Sequence, residues 1–290
     1  MTRLLPLAGG NNSFATGANI DGTVVGWAEN GVHDSNCVGT QVLQFLPVFW
    51  GLGTNQPQAL PLITGDSSGA ATAINNQGQI VGISGICDQA VGRHTAKHAV
   101  LWDGNTVTDL GNLGAELWIT PMAINQRGDV AGFGATTDTD LNGDFLRAFF
   151  WNRKNGITKI DPLPIASHVL SQANGLNEHG QVVGISCTIV GDCLGFLWED
   201  GVMTNLNDPN IVPGFTGVII NAQDINDNGE ITGRAFEPAT GQIKTFIAVP
   251  ILDSAAVKTK ARPKRQANLA LPESVRKTLR QQRGLASLMQ

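Results

Sequence analysis

The residues that most clearly have the chemistry of a metal site form the segment DTDLNGD, from position 138 to position 144. Asp138, Asp140, Asn142 and Asp144 place side-chain oxygens at alternate positions, and a glycine among them allows a sharp turn. Calcium prefers such a set of hard oxygen ligands. The segment therefore predicts a calcium site, and the alternative is a solvated acidic hairpin loop.

A second set of residues has the chemistry of a ligand-binding site. Trp27 and Trp118 are flat aromatic residues that can stack on a sugar ring, whereas the alternative is that they close the core as a hydrophobic lid. His33, Asp34 and Glu116 could supply polar contacts beside them. These five residues are the predicted ligand-binding set, with a glycan or a protein as the ligand.

Three carboxylates, those of Asp34, Glu116 and Asp138, allow a catalytic alternative. Cleavage of a glycosidic bond requires two carboxylates at a fixed separation, so a polysaccharide-active hydrolase or lyase is the competing hypothesis. No GxSxG, HExxH or phosphate-binding loop pattern occurs in the sequence. The sequence contains no complete catalytic motif, and we therefore expect a non-catalytic binding or scaffold module.

All of these residues lie between copies of one segment, AINNQGQIVGIS at residues 73–84. Four similar segments place their asparagines at positions 19, 125, 177 and 226, beside position 75 in the first, so the period is about fifty residues. An Asn followed three residues later by Gly favours a tight turn between two short strands. Each copy therefore predicts a β-hairpin.

A second hairpin follows in the first four repeats, where an apolar strand ends in a tryptophan before a glycine-bearing turn. Two hairpins supply the four strands of one propeller blade. The fifth repeat has only three strands, but RLLPLAGG at residues 3–10 resembles the fourth-strand segment ALPLITG at residues 59–65. The sequence thus predicts an all-β fold, a β-propeller of five four-stranded blades closed by the N-terminal strand. The alternative is an open β-solenoid or a pair of sandwiches. The four tryptophans at the repeated position are expected to pack between blades: Trp50, Trp102, Trp151 and Trp198.

The repeats divide the chain into a propeller at residues 1–250 and a tail at residues 251–290. In a propeller, the connections from second to third strand and those between blades emerge on one face, and here these are the long connections. Loops on a rigid scaffold carry most binding residues. We therefore expect the ligand on this face, which we name the loop face.

Charge is divided unevenly between the two parts. Residues 1–250 contain ten Lys and Arg against twenty-two Asp and Glu, a net charge of −12, and the tail contains nine against two, a net charge of +7. An acidic propeller is not expected to bind nucleic acid, because such binding neutralises phosphates. From Pro272 the tail could form a basic amphipathic helix with Val275, Leu279 and Leu285 on one side, suited to an acidic surface. The alternative is a disordered, solvated tail.

Four cysteines indicate an oxidising compartment. Cys187 and Cys193 flank one loop, while Cys37 and Cys87 lie in corresponding loops of adjacent repeats, so two disulfides would use all four. The alternative is four unrelated small apolar side chains. No apolar stretch is long enough to span a membrane, and no signal peptide is recognisable. We expect an extracellular or periplasmic protein whose signal peptide is not part of this sequence.

The repeat unit resembles the bacterial HAF repeat. The [AG]xN or [DA]IN turn is followed by xxGxVVG and then by HAVLW, RAFFW or GFLW, over about residues 1–250. The His-Ala-Phe triplet that names the family is nowhere intact, and His98-Ala99-Val100 and Arg147-Ala148-Phe149 come nearest. Members of that family are described as probable extracellular repeat proteins. The resemblance implies export and a repeat fold, and it implies no reaction.

Overall fold

The computed structural model describes residues 2–37, 40–87, 96–140, 143–251 and 270–281. Within these ranges the chain is all-β apart from one short helix, and its strands form five antiparallel sheets. Four sheets have four strands and the fifth has three. In every sheet each strand pairs with its neighbours in sequence, so each repeat folds into a sheet of its own, as predicted.

The elements follow one another along the chain. The first sheet contains β1 (Ser13–Ala18), β2 (Val24–His33), β3 (Leu43–Trp50) and β4 (Gln58–Ala59); the second contains β5 (Ser68–Ile74), β6 (Ile80–Gly85), β7 (His98–Asp103) and β8 (Thr106–Asp109). The third contains β9 (Ile119–Ile124), β10 (Val130–Gly134), β11 (Arg147–Asn152) and β12 (Gly156–Ile160); the fourth contains β13 (His168–Leu176), β14 (Val182–Thr188), β15 (Cys193–Glu199) and β16 (Val202–Asn205). The fifth contains β17 (Val218–Ile225), β18 (Ile231–Glu237) and β19 (Gln242–Ala248), and the helix is α1 (Glu273–Gln281).

The repeated asparagine closes the first hairpin of each sheet. In the second sheet the side-chain oxygen of Asn75 accepts hydrogen bonds from the backbone amides of Gln77, at 3.1 Å, and Gln79, at 2.9 Å. The glycine of the same turn, Gly78, has a φ of 79°, in the left-handed region that favours glycine. The turn chemistry predicted from the sequence is therefore confirmed.

The same asparagines also join neighbouring sheets. The side-chain nitrogen of Asn75 donates to the backbone oxygen of Asn125 at 3.0 Å, and that of Asn125 donates to Asn177 at 3.1 Å. Equivalent bonds run from Asn19 to Asn75 at 3.3 Å and from Asn177 to Asn226 at 3.1 Å. Beside each of them, the backbone amide of the following residue donates to a side chain of the next repeat. All four pairs of consecutive sheets are thus joined at the ends opposite the loop face.

The tryptophans at the repeated position are buried between sheets, as predicted. Trp102 of the second sheet is fully buried and packs with Val25 of the first sheet and with Leu60, which lies between the two sheets. Trp151 packs in the same way with Val81 of the preceding sheet. Each of these indoles fills the space between its own sheet and the one before it, so the sheets stack in sequence order.

The N-terminal segment, residues 3–10, lies against the first sheet. The indole nitrogen of Trp50 donates to the backbone oxygen of Leu5 at 3.1 Å, and Trp102 makes the equivalent bond to Pro61 at 2.6 Å. The segment therefore enters the first sheet in the same way as the chain enters the second sheet. Within the part of the chain that the structure describes, no strand pairs with the free edge of β19.

The helix α1 begins directly after Pro272, where the sequence places its start. Its first turn contains Glu273, whose negative charge is favourable at a helix N-terminus. None of the described segments contains a helix that is long and apolar enough to cross a membrane.

The asparagine bonds between sheets give the first prediction. Asn125 is 3% exposed and its side chain joins two sheets, whereas Asn226 is exposed and, among the described residues, its side chain bonds only within its own turn. We expect Asn125→Ala to lower the free energy of unfolding by about 3 kcal/mol and Asn226→Ala by about 1 kcal/mol. Chemical denaturation of both variants measures the difference. Equal losses would show that the bonds between sheets contribute little.

Candidate functional site

The centre of the loop face is a single apolar cluster that draws side chains from all five sheets. Each sheet contributes a buried residue from one of its strands, and these are Phe45, Ile83, Phe133, Ile185 and Phe236. Several of the longer connections of the loop face end at the same cluster, through the cysteines of both disulfides. The five sheets therefore converge on one hydrophobic centre.

The C-terminal segment lies on this centre. Leu271, Val275 and Leu279 belong to the same apolar cluster and are only 4%, 4% and 1% exposed. Their spacing of four residues places Val275 and Leu279 on one face of α1. Val275 and Leu279 thus form the buried face of α1, while Leu285 of the predicted amphipathic helix lies outside the described residues. The face predicted to bind a ligand is thus occupied by a helix of the same chain.

Asp192, in the connection between β14 and β15, anchors the helix by its charge. One of its carboxylate oxygens accepts a hydrogen bond from the backbone amide of Leu271 at 2.9 Å and another from the Arg276 side chain at 2.8 Å. Both side chains of this ion pair are about four-fifths buried, at 18% and 21% exposure. A charged pair that is largely withdrawn from water and also hydrogen-bonded to the backbone fixes the orientation of the helix.

Asp192 and Leu271 were not among the site residues predicted from the sequence. Two signals in the sequence point to them. Leu271, Val275 and Leu279 continue one apolar stripe in steps of four, and the acidic propeller complements the basic tail in charge. Neither signal indicates which acidic loop receives the helix, because that choice depends on tertiary packing.

Both predicted disulfides are present. Cys37–Cys87 joins the loop face of the first sheet to that of the second across a sequence separation of 50, and Cys187–Cys193 closes the short loop that contains Asp192. The first disulfide links two repeats, and the second restrains the loop between Cys187 and Cys193, which we name the anchoring loop. No free cysteine remains among the described residues.

His33 is the last residue of β2, and Asp34 follows it beside the first disulfide. His33 is exposed, and the Asp34 carboxylate accepts hydrogen bonds from the Asn36 amide at 2.9 Å and from the Ser67 hydroxyl at 2.8 Å. Burial alone would raise the pKa of Asp34, but these hydrogen bonds outweigh it and hold the pKa below its ordinary value. One carboxylate oxygen lies within 4.8 Å of the sulfurs of Cys37 and Cys87. Because those sulfurs form a disulfide, they are not available as thiolate metal ligands.

Glu116 and Asp138 lie together in the connections before β9 and after β10. The backbone amide of Glu116 donates to the Asp138 carboxylate at 2.8 Å, and Glu116 itself is exposed. In the part of the chain that the structure describes, no hydrogen bond joins these residues to His33 or Asp34. The carboxylates of Asp34 and Asp138 each hold a backbone amide of a nearby turn.

The two tryptophans of the predicted ligand-binding set lie in the core. Trp118 is 2% exposed, donates its indole hydrogen to the Thr120 hydroxyl at 3.0 Å, and packs edge-on against Phe133. Trp27 is 9% exposed and contacts Phe45 edge-on at a ring separation of 5.9 Å. This is the placement expected of a hydrophobic lid, the alternative named above. Stacking of these rings on a sugar stays a prediction.

The acidic segment on the loop face uses one of its carboxylates to shape its own backbone. Asp140 is 5% exposed, and its two oxygens accept hydrogen bonds from the backbone amides of Asp144, at 2.8 Å, and Phe145, at 2.9 Å. Asp138 is turned towards Glu116, and Asn142 lies outside the described residues. Within the described ranges these carboxylates do not form a cluster with the spacing of metal ligands. Calcium at this segment stays a prediction.

Comparison of the sequence with protein-family models and with curated proteins gave no match. Comparison of the fold with solved structures gave distant similarities. A protein of unknown function from Dyadobacter fermentans is 12% identical, covers 88% of this chain and 84% of its own, and has a TM-score of 0.45.

Two further structures are similar to this chain at the same level. A mutant of AofleA from Arthrobotrys oligospora is 13% identical, covers 81% of this chain and 68% of its own, and has a TM-score of 0.39. A mutant of Aleuria aurantia lectin in complex with alpha-methyl-L-fucoside is 12% identical, covers 81% and 72%, and also has a TM-score of 0.39. Similarities this weak carry no argument about the ligand of this chain.

The second prediction separates the two roles open to the acidic segment. Asp140→Ala removes two hydrogen bonds from a buried carboxylate, so we expect the free energy of unfolding to fall by about 3 kcal/mol in the presence or absence of calcium. If the segment also binds calcium, millimolar calcium raises the melting temperature of the parent relative to chelator. Asp138→Asn keeps an oxygen for the Glu116 amide but removes a charge, and it should abolish that increase. Identical melting curves for the parent with calcium and with chelator would contradict the calcium prediction.

Proposed function

We propose that this chain is a non-catalytic, exported binding module whose loop face takes an amphipathic helix as its ligand. The observation that supports this is the helix already bound there, with Leu271, Val275 and Leu279 in the apolar centre and Arg276 on Asp192. Of the two ligand classes predicted from the sequence, a protein ligand has this support. A glycan ligand stays a prediction, and it is tested in the same assay below.

The chemistry of the face suits a short basic helix. Its centre is apolar, so three side chains leave water on binding, and each contributes about 1.5–3 kcal/mol when fully buried. Asp192 lies at the edge of the apolar centre. It favours a cation five residues after the first apolar contact, which is the position of Arg276 relative to Leu271. Because an external helix must displace the helix of the same chain, the tail also sets a threshold for partner binding.

The catalytic alternative has no comparable support. A polysaccharide-active hydrolase or lyase needs two carboxylates around a pocket at the channel mouth. Asp34 accepts a hydrogen bond within its own turn, Asp138 accepts one from the backbone amide of Glu116, and the centre between the sheets is apolar.

Export is proposed from the two disulfides. Cys37–Cys87 and Cys187–Cys193 use all four cysteines of the chain, and disulfides persist in oxidising compartments. The resemblance to the bacterial HAF repeat, whose members are described as extracellular, remains part of this proposal. An extracellular or periplasmic location agrees with both.

We further propose that the five sheets are the blades of a closed propeller and that the N-terminal segment supplies the fourth strand of the fifth blade. Three observations support this: the sheets stack in sequence order, no described strand pairs with the outer edge of β19, and residues 3–10 enter the first sheet as residues 59–65 enter the second. Closure would remove an edge that could otherwise pair with another chain.

The third prediction tests closure. Transferring the register of β3 and β4 to β19 and the N-terminal segment places Thr2 opposite Ile247. We expect Thr2→Cys/Ile247→Cys to form an intramolecular disulfide in the full chain, detected by peptide mapping without reduction. The control is Thr2→Cys/Val202→Cys, in which the second cysteine lies on an exposed position of the fourth sheet. If the first pair does not crosslink, or both pairs crosslink equally, the closed ring is wrong.

The fourth prediction tests the helix-binding function. A fluorescent peptide of residues 268–283 should bind the full chain carrying Val275→Asp/Leu279→Asp, whose own helix no longer docks. With a tethered helix at ~1 mM effective concentration and a dissociation constant of ~10 µM, binding to the parent should be about 100-fold weaker. Fluorescence anisotropy measures both affinities.

Two controls accompany this measurement. A peptide carrying the same two aspartates should not bind, and adding Asp192→Asn to the full-chain variant should weaken binding about tenfold through loss of the ion pair. No binding of the parent peptide to the undocked variant would reject the proposed function. If a glycan binds the Val275→Asp/Leu279→Asp variant and competes with the peptide, the ligand of this face would be a glycan and not a helix.

A further inference from the structure

A cavity of about 550 Å³ opens on the loop face between the fourth and fifth sheets. Three connections surround it: the one that enters β13, the one between β14 and β15, and the one between β16 and β17. Ala270 and Leu271, just before α1, form the remaining wall. Its volume is within the range of sites that bind small molecules. The cavity adjoins the groove that holds the helix and shares Asp192 and Leu271 with it.

The rim of the cavity exposes large apolar side chains. Ile189 and Val190 on one side are 52% and 47% exposed, and Phe215 on another is 43% exposed. Farther in, the lining includes Leu194 and the buried Leu206. Exposed apolar groups grouped around a concave site are typical of ligand binding, because covering them removes apolar surface from water.

The walls are fixed without a ligand. The loop that carries Ile189 and Val190 is closed by Cys187–Cys193 and by the hydrogen bond from the backbone amide of Thr188 to Asp192 at 2.9 Å. In the facing connection Asn207 exchanges two hydrogen bonds with the backbone of Ile219, at 2.7 and 2.9 Å. A cavity formed in advance does not need to be ordered by its ligand, which favours affinity.

One polar side chain of the lining, His168, is held in place by its neighbours. Its Nδ1 lies 2.8 Å from the Ser186 hydroxyl oxygen, which also accepts a hydrogen bond from the backbone amide of Leu163 at 3.0 Å. Burial lowers the pKa of His168, opposed by the charge of Asp192 and by a hydrogen bond of the ring with the backbone of Ser186. Burial therefore disfavours the charged form of this ring.

The ionic character of the lining argues for an uncharged ligand. Asp192 is already paired with Arg276, and no Lys or Arg is among the lining residues that the structure describes. A carboxylate would find no cation there, and an ammonium would compete with Arg276 for Asp192. Ser167 directly precedes His168 in the connection that enters β13. It has a φ of 70°, an uncommon conformation for a residue other than glycine.

We infer that this cavity is a binding site for an uncharged, largely apolar small molecule, whose acyl or aromatic body packs against Ile189, Val190 and Phe215. This inference does not depend on the helix-binding function, because Ile189 and Phe215 do not belong to the apolar cluster that buries the helix. It adds a second site to the same face.

The test uses the full chain and the neutral fluorophore 1-N-phenylnaphthylamine. We expect saturable binding that Ile189→Ser/Phe215→Ser weakens at least tenfold. The control is Ile20→Ser/Val202→Ser, which removes two exposed apolar side chains away from the cavity and should leave binding unchanged. Absence of saturable binding to the parent, or equal weakening in both variants, would overturn the inference.

Competition tests whether the ligand is uncharged. At about pH 8, where decanoate is ionised, methyl decanoate should displace the fluorophore at a concentration at least tenfold lower than decanoate, because the lining offers a carboxylate no cation. Equal competition by ester and anion would contradict the inference that the ligand is uncharged.

Discussion

The architecture depends on one hydrogen bond that is repeated between sheets. A side-chain amide is costly to bury unless its donors and acceptor are used. The repeated asparagine uses its oxygen inside its own turn and a nitrogen hydrogen on the next repeat. A slip of one residue between two sheets would leave these groups unpaired, so the bond sets the position of each sheet relative to the next. Because the asparagine turns lie at one end of every sheet, the variable connections all lie at the opposite end, on the loop face.

The sheets in turn create the apolar centre that the helix covers. Each sheet contributes strand residues to it, and no single sheet could bury them. The helix adds three apolar side chains and brings a cation to the anchoring loop, where Asp192 receives both the backbone and the side chain of the helical segment. Hydrophobic burial attracts the helix to the apolar centre, and the ion pair with its hydrogen bonds fixes the orientation of the helix. The rigid loop closed by Cys187–Cys193 serves the helix on one side and the cavity on the other.

Local chemistry explains what could be predicted from the sequence. The turns, the strands around them and the tryptophans between sheets follow from residue types at fixed spacing, and the cysteine pairs follow from equivalent loops. Features that depend on distant contacts were harder to predict. The sequence shows Trp27 and Trp118 beside loops but does not show that strands from other sheets bury them. It shows Asp140 among acidic neighbours but not that backbone amides occupy both of its oxygens. The docking site of the tail is a third example, because its partner loop lies about eighty residues away.

The link between Cys37 and Cys87 also bears on how the chain responds to mechanical load. The two cysteines are 50 residues apart, one full repeat, and the bond passes from one sheet to the next. A force that pulls the two ends of the chain apart is carried across the sulfurs and bypasses the segment between them. That segment would otherwise release about 170 Å of extended backbone. With the disulfide intact, the first two sheets would therefore extend by about that length less under tension, and a reductant would restore the missing length.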